Sequence, residues 1–514
     1  MDSRTRDELA TFSRGMDRRR FLSLVGLTGA ASLLAACSGG AVTPPPASQP
    51  TGAPAAAATA PAAAATTAPA AAPTAAAAAA ATTAPAAKPA AAGSPAPAAA
   101  AATSAPAQAA SNRPLTPTFY AWIPDTHPAV KTVSDDFAKT TPLNFQIAPV
   151  QGFGIDRFVA EARDKNSTWD IYVGMTPFVE MTALVQADVI EPWDNYIPKD
   201  VLNDILPAIK EECSIDGKLY CWPFLLDICV LGSNSGLTQK ASSVDLPTNW
   251  DDYLANAQKV VDTKAAAYGA TFDAHGWRSL APFTHSLSTK VYTSDNLFDF
   301  TSDPAVQALQ LMKKIYDLSG PDTLNPGNTD GGVNDTPDEN QFSTQKVAYF
   351  TKYQNAPIRF SALWPDPSKL KLGQLPKFAN GEGGTVFWDT GMALFKYGQN
   401  KDKAAQYLKA LTTDDRIWQE SLSVGQKQTG HVPPYQSFWD KWKANRPSWM
   451  QDYPFQVAEQ LKVSKAIPNH KFGLTQFVIG QQYWQRYITG ETSDPKEALQ
   501  AAKDAVQAEI KKTG

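Results

Sequence analysis

The residue types that carry most enzyme chemistry are present in this 514-residue chain, but their spacing matches no catalytic motif. GSNSG, residues 232–236, is close to the nucleophile elbow G-x-S-x-G, but Asn234 stands where the nucleophilic serine is required. The five histidines lack the H-E-x-x-H spacing of zinc proteases. GEGGT, residues 381–385, lacks the lysine and Ser/Thr of a phosphate-binding loop. We therefore expect a protein that binds rather than catalyses, with no metal and no cofactor.

Acidic residues leave two other chemistries to consider. The loop around Asp330, Asn334, Asp335 and Asp338 has oxygen atoms suited to calcium, but it lacks the EF-hand spacing, so we expect a solvated loop. The two carboxylates of a glycoside hydrolase can lie far apart in sequence. That chemistry therefore stays an alternative, although nothing selects a pair.

Strand-like and helical patterns alternate after residue 113. TFYAW (118–122) is apolar and aromatic, Leu143 to Ile147 alternates, and WDIYVG (169–174) is a further apolar run, with helical stretches between them. This β-α-β-α-β order predicts a parallel sheet covered by helices, and hence an α/β fold.

Later helices carry start signals. Thr248 and Asp251 have the spacing of a capping box ahead of an amphipathic helix. Asp303 and Asp494 are each expected to cap a helix, because each precedes a proline, which is favoured at the first helical position. We expect these helices to pack on a sheet.

The segment DRRRFLSLVGLTGAASLLAAC, residues 17–37, has the build of an export signal. A basic start precedes an apolar stretch that is shorter than the roughly 20 residues of a membrane span. Arg18-Arg19 resembles the twin-arginine motif, and Leu34 to Cys37 resembles the lipobox, whose cysteine is lipidated after cleavage. We expect residues 1–37 to be a signal peptide ending at Cys37, with translation starting at Met1 or Met16.

Residues 38–112 consist almost entirely of Ala, Pro and Thr. Such a composition cannot bury a core, so we expect a disordered tether behind the lipid anchor. The remaining chain, of about 400 residues, is long enough for two or three domains. We expect a monomer on the outer face of the cytoplasmic membrane, periplasmic or at the cell surface.

Charge and aromatic content limit the partners. The net charge is −4 and no basic stripe is present, which argues against nucleic acid. Thirteen Trp, sixteen Tyr and twenty-three Phe exceed what most chains of this length carry. Aromatic rings fill cores and also stack on flat apolar ligand faces.

Two of the remaining cysteines flank a turn. In ECSIDGKLYC, Cys213 and Cys221 would face each other across a hairpin at Asp216-Gly217. Export makes a disulfide between them chemically feasible, and the sequence leaves the pairing open. Cys229 is expected to be a small buried residue.

Five stretches in chain order carry a family resemblance: WDIYVGMTPFVEMTALVQADVIEPWDNYI, DGKLYCWPFLLDICVLGSNSGL, LPTNWDDYLANAQKV, QFSTQKVAYFTKY and GGTVFWDTGMALFKYGQNKDKAAQYLKALTTDD. Together they resemble the extracellular solute-binding proteins of family 1, the receptors of ABC importers that include maltose-binding protein. Asn234 matches the family pattern. Asp188, Ser233 and Gln345 depart from it, standing where Gly, Tyr and Gly are usual.

The resemblance implies two α/β lobes with a ligand cleft between them and a hinge with several chain crossings, near Leu226–Val230, Tyr349–Tyr353 and Trp388–Met392. It implies a first lobe of residues 113–226 and 349–388 and a second lobe of residues 227–348 and 389–514. It also implies hinge closure around a solute, which two permease subunits then accept.

A sugar offers an apolar face to aromatic rings and hydroxyl groups to carboxylates. On that basis we expect the ligand-binding residues at strand ends and crossings: Trp122, Met175, Thr176, Asp227, Tyr353, Trp388 and Asp389. Further candidates are Trp277, Phe283, Trp364, His431 and Tyr435. The alternatives are a non-sugar solute on the same fold, or a surface-tethered glycoside hydrolase.

Overall fold

The computed structural model describes residues 113–148, 155–274, 276–325, 336–423 and 429–513. The expected signal peptide (1–37), with Cys37, and the expected tether (38–112) lie outside these residues, as does most of the acidic loop around Asp330. Among the described helices, none is both long enough and apolar enough to cross a bilayer.

One mixed sheet contains ten of the described strands. Its main path has the order β2-β1-β3-β11-β7-β9-β8, with β10 paired to β7 and both β12 and β4 paired to β11, while β5 and β6 form a separate hairpin. The strands are β1 Pro117–Tyr120, β2 Gln146–Ala148, β3 Ile171–Met175, β4 Ile190–Glu191, β5 Ser214–Ile215, β6 Lys218–Leu219, β7 Trp222–Asn234, β8 Tyr268–Phe272, β9 Val347–Tyr353, β10 Leu370–Gly373, β11 Val386–Phe395 and β12 Lys465–Ala466.

Helices cover the sheet. The described α-helices are α1 Trp122–Thr126, α2 Pro128–Ala138, α3 Ile155–Arg163, α4 Thr182–Gln186, α5 Lys199–Asp204, α6 Pro207–Glu212, α7 Ser235–Lys240, α8 Trp250–Asp262, α9 Trp277–Leu287, α10 Asp303–Tyr316, α11 Pro337–Ser343, α12 Asn355–Ser361, α13 Lys401–Thr412, α14 Asp415–Leu422, α15 Gln436–Ala444, α16 Tyr453–Leu461, α17 Thr475–Thr489 and α18 Pro495–Thr513. Short 3₁₀ turns lie at Trp193–Asn195 and Pro367–Lys369, and a π-helical turn at Pro177–Met181.

The predicted β-α-β-α-β unit at the start of the described chain is confirmed. Strand β1 pairs in parallel with both β2 and β3, with helices between them in sequence. The structure ends β1 at Tyr120, two residues earlier than the sequence pattern, so Trp122 begins helix α1 instead of closing the strand. The Trp122 side chain therefore belongs to the first turn of α1, just beyond the end of β1.

The helix starts differ in detail from the predicted ones. Asn249 caps α8, and its side chain accepts the backbone N–H of Asp252; the predicted capping box of Thr248 and Asp251 is wrong by one residue. Asp494 caps α18 as predicted, accepting the backbone N–H of Lys496. The predicted cap at Asp303 is wrong by one residue, because Ser302 is the N-cap of α10 and Asp303 is its first helical residue.

Strands β7 and β11 are neighbours at the centre of the sheet. Strand β7 reads WPFLLDICVLGSN and is buried along its whole length, as expected for a run that is apolar on both faces. The first half of β7 pairs antiparallel with β11, and its second half pairs with β9 and β10. Both strands therefore extend from one packed half of the sheet to the other.

Two large hydrophobic cores lie along these strands. The first contains β1, β3 and the beginning of β7, and the second contains β8, α9 and α10. Alternate side chains of β7 divide between them: Ile228 and Val230 pack in the first core, while Cys229 and Leu231 pack in the second. This follows from the two-residue period of a strand, which points successive side chains to opposite faces.

The later part of the chain contributes to both hydrophobic cores. Strand β9 pairs in parallel with β8 and adds Ala348 and Tyr349 to the second core. Ile358, Leu372 and Phe387, which follow it, pack in the first core. Strand β11 then returns the chain to the first core, where helices α13 to α16 pack, and the chain re-enters the second core between Ala466 and Ile467.

Candidate functional site

Three of the expected ligand-binding residues lie side by side where β7 and β11 meet. Trp388 of β11 is the register partner of Asp227 in β7, and Tyr353 of β9 is the partner of Cys229. The three strands have buried apolar residues on both faces, so the sheet fixes the backbone of each of these residues. Asp227, Tyr353 and Trp388 are thus held close to the boundary between the two cores.

An aromatic cluster forms around Trp388, and we define it as Phe178, Trp277, Tyr353 and Trp388. The ring centroids of Trp277 and Trp388 lie 4.6 Å apart at 88°. Tyr353 meets Trp388 at 5.6 Å, and Phe178 meets Trp277 at 4.9 Å. The rings meet edge to face, a favourable arrangement that leaves ring faces directed toward other groups.

The aromatic cluster joins segments that are distant in sequence. Phe178 lies in the π-helical turn directly after β3, and Trp277 is the first residue of α9. Gly276, which precedes that helix, has φ +44°, a left-handed value that glycine adopts at little cost. The Arg278 guanidinium lies 5.2 Å from the Tyr353 ring centroid, a cation–π distance.

A second group, the histidine cluster, consists of Trp122, His127, Asp227 and His431. His431 Nε2 lies 3.2 Å from Asp227 Oδ2. The His431 ring centroid is 5.8 Å from that of Trp122 and 5.1 Å from that of His127. Of the described residues, none bonds Asp227 Oδ1 or His431 Nδ1, although both atoms are buried. Asp227 therefore connects the two clusters and keeps one oxygen available.

His127 is held neutral by its surroundings. Burial, and then the neighbouring His431, hold the pKa of the His127 imidazole well below its usual value. Its Nδ1 pairs with the Thr126 hydroxyl at 2.9 Å and its Nε2 with the Thr429 hydroxyl at 2.8 Å. His127 thus supports the cluster through neutral hydrogen bonds.

Met175, Thr176 and Asp389, which were also expected to bind the solute, lie outside both clusters. Met175 is fully buried in the first core. Thr176 is nearly buried, and its backbone N–H donates to Glu180 Oε1 at 3.2 Å. Burial raises the pKa of Glu180 to about 7. Thr176 thereby shapes the turn that carries Phe178 to Trp277.

Asp389 points away from both clusters. It is fully buried, and its two carboxylate oxygens accept the backbone N–H of Phe224 at 3.1 and 3.0 Å. Its neighbour Trp388 packs in the second core, and successive strand residues face opposite sides. The structure therefore does not bring Asp389 together with Asp227 and the aromatic rings.

A buried ionic network contacts the Tyr353 ring of the aromatic cluster through Arg278 and Lys352. The sequence patterns did not predict this network. Lys352 Nζ lies 2.7 Å from Asp338 Oδ2, 2.9 Å from Glu339 Oε1 and 3.7 Å from Asp273 Oδ2. Arg278 Nε is 2.9 Å from Asp273 Oδ2. A lysine inside the apolar strand VAYFTKY is the signal that could have revealed the network, because buried lysines are nearly always paired.

The cysteines are buried thiols in the structure. Cys213, Cys221 and Cys229 are all free. The sulfur atoms of Cys213 and Cys221 and a carboxylate oxygen of Asp389 lie within 4.8 Å of one another. Among the described residues, this is the group whose donor atoms could hold a metal ion.

Comparisons with known proteins agree on one family of binding proteins. The model of a family described as bacterial extracellular solute-binding protein matches residues 132–446. A protein of Brucella abortus (strain 2308), described as a binding protein, is 22% identical over 293 residues, covering 56% of this chain and 66% of the relative. The chain thus spans just under two thirds of that relative's length.

Solved structures share the fold. The GacH receptor of Streptomyces glaucescens GLA.O, determined unliganded and with acarbose, has a TM-score of 0.62 at 16% identity and covers 77% of this chain and 98% of its own. The cyclic α-maltosyl-1,6-maltose binding protein of Arthrobacter globiformis has a TM-score of 0.60 at 19% identity, covering 78% and 100%. The chain therefore has the two-lobed α/β fold of periplasmic binding proteins.

Proposed function

The chain belongs to the family of bacterial extracellular solute-binding proteins, and on that premise we propose that it is the lipid-anchored substrate-binding protein of an ABC importer. Its solute is a carbohydrate, either a mono- or an oligosaccharide, which it captures between the two hydrophobic cores and delivers to the permease. The observation that carries this proposal is the position of Asp227 beside the aromatic cluster, with one carboxylate oxygen free of partners among the described residues.

In this proposal the two hydrophobic cores are the two lobes. Their connections are the crossings of β7 near Ile228, of β11 near Trp388, and of the chain between Ala466 and Ile467. Trp388 and Trp277 are less than a tenth exposed, so a solute reaches them only when the lobes separate. Closing around the solute is a hinge motion, a common movement in two-lobed binding proteins.

The chemistry of the two clusters suits a sugar. Trp388 and Trp277 offer ring faces to the C–H groups of a pyranose, while Asp227 accepts a hydrogen bond from a sugar hydroxyl. His431 positions the carboxylate through its other oxygen, and Trp122 provides a further aromatic face on the first-core side. The related GacH receptor was determined with acarbose, and the Arthrobacter protein is a cyclic maltosyl-maltose binder, which supports a carbohydrate solute.

Anchoring follows from the sequence. The lipobox ending at Cys37 supplies a lipidated cysteine, and the Ala/Pro/Thr segment 38–112 supplies the tether. A long tether lets the receptor reach both its solute and the permease while it stays on the outer face of the cytoplasmic membrane. The protein catalyses nothing in this proposal, and the solute leaves it chemically unchanged.

The test is thermal unfolding of the full chain in detergent against a panel of mono- and oligosaccharides, with amino acids, peptides and phosphate esters as controls. A solute at about 100 times its dissociation constant adds roughly 2.7 kcal/mol of stability, which gives a clear shift in the midpoint. The shift is expected with one sugar class and is expected to vanish in Trp388→Ala.

A matched control distinguishes the loss of a solute contact from a general loss of stability. Trp449 is partly buried against the first core, outside both clusters, so Trp449→Ala should keep the sugar-dependent shift. A shift with a control solute alone would overturn the carbohydrate assignment. Consumption of the sugar during incubation would instead indicate a hydrolase.

A further inference from the structure

A buried group of thiols and carboxylates lies next to β11, on the side away from the aromatic cluster. Cys213 follows helix α6, and Cys221 directly precedes β7, so the two cysteines flank the β5–β6 hairpin. Their sulfur atoms and a carboxylate oxygen of Asp389 lie within 4.8 Å of one another, and all three side chains are fully buried. Asp389 Oδ2 is 4.0 Å from Cys221 Sγ.

We propose that Cys213, Cys221 and Asp389 form a binding site for a thiophilic divalent cation, with Zn²⁺ as the best match. Thiolate and carboxylate are both ligands that Zn²⁺ accepts, and structural zinc sites have four ligands in a tetrahedron. Three donors from three separate segments of the chain converge here. The proposal does not depend on the identity of the solute.

A second carboxylate supports a cation at this position. Glu212 is nearly buried, and its carboxylate oxygens accept the backbone N–H of Asp389 at 3.1 and 3.2 Å. The carboxylates of Asp389 and Glu212 each accept a backbone N–H group. Among the described ion pairs, neither carboxylate has a Lys, Arg or His partner. Buried carboxylates are ordinarily paired with a cation or bound to a metal. Glu212 is therefore a candidate for the fourth ligand.

The backbone at Gly391 is also consistent with convergence of these donors. A Cβ atom at this position would lie 2.3 Å from Cys221 Sγ and 2.5 Å from Asp389 Oδ2. Only glycine lets the sulfur and the carboxylate approach each other on this strand. Any larger residue would push the two donors apart.

Binding requires no redox partner. As two metal–sulfur bonds form, the two S–H bonds break and their protons pass to solvent. The bound cation would join helix α6, the hairpin and β11 into one unit beside the crossing strands. Because the donors are fully buried, the metal enters before the hairpin closes over them, during folding.

The experiment refolds the full chain with excess Zn²⁺ under reducing conditions, removes loosely bound metal, and measures zinc by mass spectrometry. About one zinc ion per chain is expected in the wild type and in Cys229→Ser, and background zinc in Cys213→Ser and Cys221→Ser. Refolding the wild type with Co²⁺ provides a second readout that does not rely on a variant that folds. The expected spectrum contains a thiolate-to-cobalt charge-transfer band.

Three results would overturn the proposal. The first is a wild-type chain that refolds in the presence of Zn²⁺ but retains none and gives no cobalt–thiolate band. The second is zinc binding that persists unchanged in both Cys213→Ser and Cys221→Ser. A native chain with a disulfide between Cys213 and Cys221, detected as the loss of two hydrogens in the intact mass, would also contradict it.

Discussion

Replacing Asp227 by asparagine tests the part of the site that most directly concerns the solute. The substitution keeps the volume and one carbonyl oxygen, which can still accept from His431 Nε2, now 3.2 Å from Asp227 Oδ2. It removes the negative charge and turns the second oxygen, which lacks a partner among the described residues, into an amide N–H₂. The fold should therefore stay intact while the solute contact changes.

The expected loss of affinity follows from that lost contact. A hydrogen bond to a charged group contributes about 1.5–3 kcal/mol, and each 1.4 kcal/mol is tenfold in affinity. We expect Asp227→Asn to weaken sugar binding by about 10- to 150-fold in calorimetric titration. Asp204→Asn is the control, because Asp204 lies outside both clusters and accepts from Ser437 at the start of α15. A dissociation constant within about twofold of wild type in a folded Asp227→Asn chain would refute the role of Asp227.

Three further predictions concern buried charges. Lys352→Met leaves Asp338 and Glu339 without their ammonium partner and should lower the free energy of unfolding by about 3–5 kcal/mol in urea titrations, whereas the exposed Lys346→Met should change it little. Burial raises the pKa of Glu180 from 4.5 to about 7, so the unfolded chain releases a proton that the folded chain keeps, and stability falls as pH rises between these values. Glu180→Gln should therefore remove about 2–3 kcal/mol of the stability lost between pH 5 and pH 8; an unchanged pH profile would contradict this. Burial lowers the pKa of His285 from 6.5 to about 4, so its share of stability is lost as pH falls. His285→Asn should flatten the drop in unfolding free energy between pH 7 and pH 5 by about 2 kcal/mol, and an equally steep drop in the variant would exclude His285 as the cause.

Local patterns in the sequence predicted the parts of the fold that depend on nearby residues. The three parallel strands at the start of the described chain follow from alternating apolar runs and intervening helices. Strand β7 follows from a long apolar run. The end of β1 was predicted two residues late, at Trp122, because an aromatic residue is equally compatible with a strand end and with the first turn of a helix.

The division of the chain between the two cores could not be read from the same patterns. An apolar strand such as β9 looks identical whether it crosses between lobes or pairs within one of them. The core to which each strand belongs is determined by the pairing of β9 with β8 and by the return of β11 into the first core. These are contacts between residues far apart in sequence.

The candidate site shows the same limit. Asp227, Tyr353 and Trp388 were identified from their positions on strands, but His431 and Trp277 were only further candidates because each lies at a loop or helix start of unknown position. His431 reaches Asp227 because the loop that contains it bridges back to β7, where Val432 pairs with Leu226. Asp389 was expected to face the solute, and the strand alternation that turns it away depends on which face of β11 meets the second core.

Capture of an intact carbohydrate can be measured by calorimetric titration of the full chain with the sugar class that stabilises it, followed by chromatography of the sugar. We expect saturable binding of one sugar per chain, with the sugar recovered unchanged and the binding heat abolished in Trp388→Ala. Binding that survives unaltered in Trp388→Ala, or a sugar recovered as smaller fragments, would contradict capture of an intact carbohydrate between the two cores.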